Sequence, residues 1–491
     1  MTVLSRLLTH ALPVPLACAL LLAGCAVGPD YQRPGAPVSA SFKEADATAA
    51  WSGDWKPAEP QDALARAGWW TVFGDAQLDA LMSEVQISNQ NIKAAEAQYR
   101  QAVASLQAAR AGFFPTVDAQ AGASRARGAS GSTLNGQSAT LGATWEIDVW
   151  GRVRRQVESS EASAQASQAD LASTLLSTQA TLAQSYFLLR VADAQKALLD
   201  RTVADYQKSL QLVQNQYAAG TAQRSDVLQS ETQLKSAQAQ QIDIQITRAQ
   251  LEHAIAVLVG KPPAALTLAA DDFRAAPPRV PAAVPSQLLE RRPDIGAAER
   301  RMASANAQIG VAQAAYYPTL SLSASGGLTA STLARWMSLP DRIWSIGGGL
   351  AGTLFDGGAR SAAKAQAVAA YDQTVANYRQ TVLGAFQEVE DNLAAQRLLE
   401  QEAVVQNDAL RSAREALALV NNRYRAGTAG LLDVLTAQTS AYTAERTALS
   451  IAGRQYTAAV VLIKALGGGW HAPGAAAAPA QAGTNQAVSQ R

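Results

Sequence analysis

Apolar and polar positions alternate along this chain with two different periods, and the places where the period changes mark its elements. Between Gly151 and Gly220 lie 68 residues without glycine or proline, and between Gly358 and Gly427 another 68 interrupted only by Gly384. In the first run Leu171, Leu175, Leu182, Tyr186 and Leu189 recur at helical spacing with Ala, Ser and Gln between them. That pattern suits helices packed closely in a coiled bundle. At about 1.5 Å per residue each helix would reach roughly 100 Å, far longer than a compact globular domain uses. Shorter helices are predicted over 221–259 and 428–466, making antiparallel hairpins with tips at Ala218-Ala-Gly-Thr221 and Arg425-Ala-Gly-Thr428. Further helices are predicted over 75–111 and over 294–315, the latter opened by Pro293.

Between these helices the period falls to two. Over 138–149, Ala139, Leu141, Ala143, Trp145, Ile147 and Val149 share one face, while Ser138, Thr140, Gly142, Thr144, Glu146 and Asp148 share the other. A partner strand over 114–125 sets Val117, Ala119, Ala121 and Ala123 against Asp118, Gln120, Gly122 and Ser124. A third strand, from Thr319 on, repeats this with Leu320, Leu322 and Ala324 against serines, and a glycine-rich fourth over 343–355 alternates more weakly. Strands of this length suffice to cross a bilayer at a tilt, and Phe113, Phe114, Trp150, Tyr316 and Tyr317 sit where an interfacial girdle would need them. Four strands cannot close in lipid, because an open edge leaves backbone groups unpaired. The barrel is therefore expected to be shared between subunits, and three copies would leave a water-filled lumen.

The chain is an internal duplication. Residues 212–228 match residues 419–435 at 11 of 17 positions. Phe113-Phe114-Pro115-Thr116 answers Tyr316-Tyr317-Pro318-Thr319, and Ile147-Asp148 with Arg152 answers Phe355-Asp356 with Arg360, in the same order. The predicted layout is a signal peptide over 1–24, an N-terminal segment over 25–68 and a first repeat over 69–260 with its β-hairpin at about 113–149. A proline-rich connector over 261–285, a second repeat over 286–466 with its hairpin at about 316–356, and a disordered tail over 467–491 complete it.

Composition narrows the function. The 41 Lys and Arg nearly cancel the 40 Asp and Glu, which removes the global field that nucleic-acid binding needs. Of three histidines, His10 and His471 are terminal, which leaves His253 and rules out a multi-histidine metal site. Glu146 and Asp148 form an acidic pair, but no nucleophile, metal cluster or phosphate-binding loop accompanies them, so lumen polarity is the reading and an enzyme is not expected. At the N-terminus, Arg6 and an apolar stretch from Ala11 to Ala23 lead into Leu22-Ala23-Gly24-Cys25. This resembles a bacterial lipobox, in which Cys25 is acylated and becomes the first mature residue. The resemblance implies N-palmitoyl and S-diacylglycerol groups on Cys25 and no other cofactor; Ala26 in place of Asp favours the outer membrane.

Taken with Cys25-Ala-Val-Gly-Pro-Asp-Tyr31, Trp69-Trp70, Phe73-Gly74-Asp75, Leu288-Leu-Glu-Arg-Arg-Pro-Asp-Ile295 and the doubled Ala-Gly-Thr tips, the sequence resembles the TolC-like outer-membrane efflux channels. It is most similar to the lipoprotein branch that serves resistance-nodulation-division pumps. The resemblance implies an α+β homotrimer with a shared twelve-stranded barrel continuous with a helical periplasmic barrel. It also implies a periplasmic adaptor and an inner-membrane proton-driven pump as partners. In that family a Tyr-Arg pair and acidic residues shut the periplasmic end. Tyr424 and Arg425 match the pair, and Asp226 and Asp433 lie just past the tips, so these four are the gate candidates. Gly220, Thr221, Gly427 and Thr428 would face the adaptor. Thr436 stands where many relatives carry a further Asp. Arg291, Arg292 and Asp294 read as the start of the second-repeat helix rather than as a substrate contact. The expected function is a passive exit duct for small molecules. Metal export or type I protein secretion is the alternative within transport, and a periplasmic coiled-coil lipoprotein is the alternative outside it.

Overall fold

The computed structural model describes residues 27–36, 42–44, 68–127, 129, 131, 133–271, 292–330 and 342–468. The expected signal peptide, Cys25, Arg291, the expected connector beyond Asp271 and the expected tail from residue 469 lie outside the described residues. In chain order the elements are α1 (Ala76–Ser88), α2 (Gln90–Ala111), β1 (Thr116–Arg127), β2 (Thr133–Ile147), α3 (Arg152–Ala218), α4 (Arg224–Leu258), α5 (Pro293–Ala314), β3 (Thr319–Ala330), β4 (Arg342–Ala351), α6 (Ala359–Arg425) and α7 (Leu431–Ala465). Helices α3 and α6 each run 67 residues, as their glycine- and proline-poor sequences demand. The described residues fall into two compact units, one drawn from Met1–Val38, Asn91–Thr174 and Pro293–Gly384 and the other from Ser39–Gln90, Leu175–Arg292 and Ala385–Arg491.

The first unit holds the sheet, antiparallel throughout in the order β1-β2-β3-β4. Its register joins the predicted faces strand by strand. One row runs Thr116–Thr144–Ser323–Gly347 and the next Val117–Ala143–Ala324–Ile346. Polar and small residues thus cover one face, while Val117, Leu141, Leu322, Ile346 and Leu350 cover the other and stand exposed. The serines of β3 also secure β4. Ser325 and Ser345 share a hydrogen bond of 2.8 Å, and the Ser321 hydroxyl donates to the Gly349 carbonyl at 3.4 Å. At the helix-proximal end Trp150 stacks on Tyr317 with centroids 4.8 Å apart and donates from its indole N–H to the Pro318 carbonyl at 2.7 Å. Trp145 donates to the Phe113 carbonyl at 3.0 Å. Aromatic rings with polar handles tied to backbone are what an interfacial belt requires.

The predicted strands ran too far at this end. β2 stops at Ile147 because Asp148 turns to cap α3, its two oxygens accepting from the Val153 and Arg154 amides at 2.9 Å each. Asp148 is therefore a helix cap rather than a strand residue. Asp356 repeats the device for α6, accepting from the Gly358 and Arg360 amides, and β4 ends at Ala351.

The N-terminal strap fastens to this unit. Val27 donates to the Trp150 carbonyl at 3.1 Å. Buried Arg155 donates to the Asp30 carboxylate at 2.8 Å, and Arg33 donates to the Tyr378 hydroxyl at 3.0 Å.

The second unit is the helical hairpin body. Trp69, Leu78, Met82, Leu182, Tyr186 and Leu189 are sealed in its core. The Trp69-Trp70 and Phe73-Gly74-Asp75 motifs enter here. Trp69 donates to Gln179 at 3.2 Å, and Phe73 and Phe187 pack with centroids 4.8 Å apart. Asp75 is the N-cap of α1 and also accepts from the Tyr186 hydroxyl at 2.7 Å. The single helix predicted over 75–111 is two, broken at Asn89. Buried Asn89 leaves the helical path so that its amide can donate to the Leu258 carbonyl at the end of α4, at 2.6 Å.

Candidate functional site

Each hairpin tip is closed by its own backbone. Gly220 and Gly427 sit at φ +77° and +73°, where a glycine escapes the penalty other residues meet. The Thr221 amide donates to the Gln216 carbonyl at 2.9 Å and its hydroxyl to the same oxygen at 3.0 Å. Thr428 repeats both bonds on Arg423, at 2.9 and 3.1 Å. The Ala-Gly-Thr signature is thus a helix-ending motif in which the threonine doubles the capping of one carbonyl. The next helices begin later than predicted, at Arg224 and Leu431, because Gln223 and Gly430 are their N-caps.

Asp226 and Asp433 occupy the third helical position, and each accepts from the N-cap amide, Gln223 or Gly430, at 3.0 Å. A carboxylate there satisfies an orphan donor and meets the positive end of the helix. Tyr424 crosses between hairpins and donates its hydroxyl to Gln216 Oε1 at 2.7 Å. Burial pushes the Tyr424 phenol up; the Gln216 bond opposes that and the Asp226 charge reinforces it. Tyr424 therefore stays an uncharged donor at neutral pH. Arg425 is exposed, and its guanidinium has no hydrogen bond or ion pair among the described residues. The structure thus brings Tyr424 to Gln216 within the field of Asp226. It does not join Arg425 to either acid. Thr436, in place of an acid, returns its hydroxyl to the Leu432 carbonyl at 2.8 Å.

Sequence reading missed a polar ladder behind the tips that ties the first hairpin, α3 and α4, to the second, α6 and α7. Gln438 donates to Ser209 at 3.1 Å, Gln233 to Thr439 at 2.7 Å, and Tyr442 to Gln240 at 2.8 Å. Arg201 and Arg414 converge on Glu445 at 3.0 and 2.6 Å. The duplication itself hid the asymmetry. Tyr217 is the counterpart of Tyr424 in the aligned repeats, yet it is 46% exposed and its hydroxyl has no hydrogen bond among the described residues, while Tyr424 bridges.

A second cluster lies deeper. Arg190 and Asp193, 4% and 3% exposed, pair at 3.0 Å, and Arg248 reaches the other Asp193 oxygen at 2.7 Å. Both arginines also hold the chain beyond α4: Arg190 donates to the Ala269 carbonyl at 2.7 Å and Arg248 to the Leu268 carbonyl at 2.5 Å. Arg292, read as a helix starter, does more than precede Pro293. It donates to Glu388 at 2.7 Å and to the Ala465 carbonyl at the end of α7 at 3.1 Å. Burial opposes ionisation of Glu388, but Arg292 and Lys464 together outweigh it and hold the carboxyl below its ordinary value. A depressed folded pKa stabilises the protein above the unfolded value of about 4.3 and ceases to do so as pH falls through the folded one. The melting-temperature gap between the parent and Glu388→Gln is expected to be full at pH 7 and to close on acidification below pH 4. A gap independent of pH would refute this account.

Among the described residues no group of three or more His, Cys, Asp or Glu is placed to hold a metal, and His253 is exposed on α4. No described helix is long and apolar enough to cross a membrane. The two-faced sheet is a described element whose chemistry suits a bilayer, and the helical hairpins end in polar tips. Such a combination defines a channel-forming outer-membrane protein with a helical portion.

A family model described as outer membrane efflux protein matches residues 81–261 and again 284–468, and the chain belongs to that family. The probable efflux pump outer membrane protein TtgC of Pseudomonas putida is 31% identical over 470 residues, covering 92% of this chain and 94% of that one. The cation efflux system protein CusC of Escherichia coli is 29% identical over 467 residues, covering 93% and 98%. The solved outer-membrane channel OprN superposes with a TM-score of 0.81 at 32% identity, covering 91% of this chain and all of that one. The fold is thus that of the TolC-like channels, with a β-sheet portion and a helical portion, and the protein is an outer-membrane component of efflux.

Proposed function

We infer that the chain is the exit duct of a tripartite efflux system, passing small molecules outward from an inner-membrane pump through a periplasmic adaptor. The observation that carries this is the sheet register, which keeps an apolar face and a polar face continuous across all four strands. Neither β1 nor β4 has a partner on its outer side among the described residues. Lipid does not tolerate such edges. Three copies would pair them and leave a lumen wide enough for water, whereas two would make an eight-stranded barrel filled by side chains. The homotrimer with a twelve-stranded barrel is therefore the preferred assembly. Acylation of Cys25 supplements the barrel as an anchor. In this reading the energy for export comes from the proton-driven pump.

The relatives are named for toluene, for cations and for pyoverdine. These cargoes share no recognition chemistry, which supports placing cargo choice in the pump. The test is accumulation of a fluorescent amphiphilic dye in cells lacking the protein, with and without restored expression and with and without an uncoupler. Higher accumulation on deletion, reversed by the restored gene and erased as a difference by the uncoupler, is expected. Accumulation unchanged by deletion, together with a changed extracellular proteome, would overturn efflux in favour of protein secretion.

The gate is assigned to Tyr424, Arg425, Asp226 and Asp433, with the glycines and threonines of the two tips facing the adaptor. Tyr424→Phe deletes the Gln216 bond. A net loss of about 1 kcal/mol raises the open population about fivefold. Leak conductance in planar bilayers is expected to rise accordingly; conductance unchanged in Tyr424→Phe, Asp226→Ala and Arg425→Ala alike would reject the assignment.

A further inference from the structure

Two charged side chains stand on the polar face of the sheet among its described residues, and their surroundings differ. Glu146 is clasped by Arg152 through paired bonds of 2.9 and 2.7 Å, so its charge is offset where it arises. Asp118 on β1 is exposed, and its carboxylate has no hydrogen bond or ion pair among the described residues. Its row across the sheet is Asp118–Gly142–Ser325–Ser345. Gly142 leaves open space beside the carboxylate, with nothing within 4 Å of where a Cβ would stand, and the two serines are engaged with each other at 2.8 Å. The flanking rows, Thr116–Thr144–Ser323–Gly347 and Gln120–Thr140–Gly327–Ile343, carry no charge. The basic strand residues Arg125, Arg127 and Arg342 fall on the opposite face by register.

We propose that Asp118 sets the ion selectivity of the barrel lumen, each copy contributing one unpaired carboxylate to a ring that favours cations over anions. The proposal rests on the reading of the polar face as the lumen of a shared barrel. Physically, the ring is a fixed negative charge on a wall otherwise made of hydroxyls, amides and glycine. Low-dielectric walls focus its field on the permeating ion, and salt weakens it with the Debye length. It acts on passive charge flow and needs no specific contact with cargo, so it is compatible with relatives that carry unlike molecules. The acids at the tips are a competing source of the same preference, which makes them the necessary control.

The test is the reversal potential of the purified full-length protein in planar bilayers under a KCl gradient. Asp118→Asn is expected to lower the cation-to-anion permeability ratio about threefold to tenfold at low salt, and Asp118→Lys to invert it. The Asn effect is expected to shrink at high salt. A second variant tests the underlying placement separately. Asp118→Cys treated with a charged thiol reagent is expected to change single-channel current, with cationic and anionic reagents moving the selectivity in opposite directions. A current indifferent to both reagents would overturn the lumen reading itself. A current that responds, with Asp118→Asn keeping the parental reversal potential and Asp226→Asn with Asp433→Asn carrying the shift, would overturn the proposal while leaving the lumen reading intact.

Discussion

Asp193→Ala is expected to destabilise the helical hairpin body by about 3–5 kcal/mol, the range for stripping one partner from a buried ion pair. The size follows from the geometry. Asp193 is the shared acceptor of Arg190 and Arg248, and the Arg190–Asp193 pair is almost wholly sequestered. Removing the acid leaves two guanidinium groups to be accommodated, one of them 4% exposed and leaning on the Tyr186 ring at 4.8 Å. The same arginines hold the carbonyls of Leu268 and Ala269, so the segment that leaves α4 is expected to detach as well. Loss of helical signal on heating in detergent measures the effect. Replacing all three residues with apolar side chains of similar volume is expected to restore much of the stability, because the penalty belongs to the unpaired charge and not to the absence of a salt bridge. A single Asp193→Ala variant that melts with the parent would show that water reaches the cluster and that burial has been misjudged.

What the sequence discloses depends on whether a residue's role is local. The strand faces were legible because side chains alternate whatever the partner strand is, and the observed register stacks Leu141, Leu322 and Ala119 on one side as alternation requires. β4 was harder to read because Gly347, Gly348 and Gly349 have no side chains with which to display a face; only pairing with Ser323, Leu322 and Ser321 reveals it. The tips were legible because a left-handed glycine followed by a capping threonine is local chemistry. Tyr217 and Tyr424 lie in nearly identical local sequence and differ only in what the fold brings near them, so no reading of the repeat alone separates them. Arg190, Asp193 and Arg248 pass for surface charges on long helices until tertiary packing buries them. The break at Asn89 is of the same kind: its cause, the Leu258 carbonyl, lies 169 residues away.

Gly260→Ala is expected to be more damaging than Gly220→Ala. Both glycines follow a long helix in the left-handed region, at φ +74° and +77°, and both close the helix with the same pair of backbone bonds. The backbone penalty of an L residue, about 1–2 kcal/mol, is therefore common to the two. Their surroundings are not. A Cβ at Gly220 meets nothing within 4 Å, whereas at Gly260 it would overlap the Ser88 carbonyl, a backbone group that cannot rotate aside. Ser88 is itself fixed, because the adjoining Asn89 is bonded to Leu258 and Lys261 pairs with Glu84 at 2.8 Å. Forced separation at a packed junction adds about 1–3 kcal/mol. The loss in melting temperature for Gly260→Ala should therefore be about twice that for Gly220→Ala. Equal losses would mean that the end of α1 yields to the new methyl group, and that the junction between α1 and α4 is softer than its buried asparagine implies.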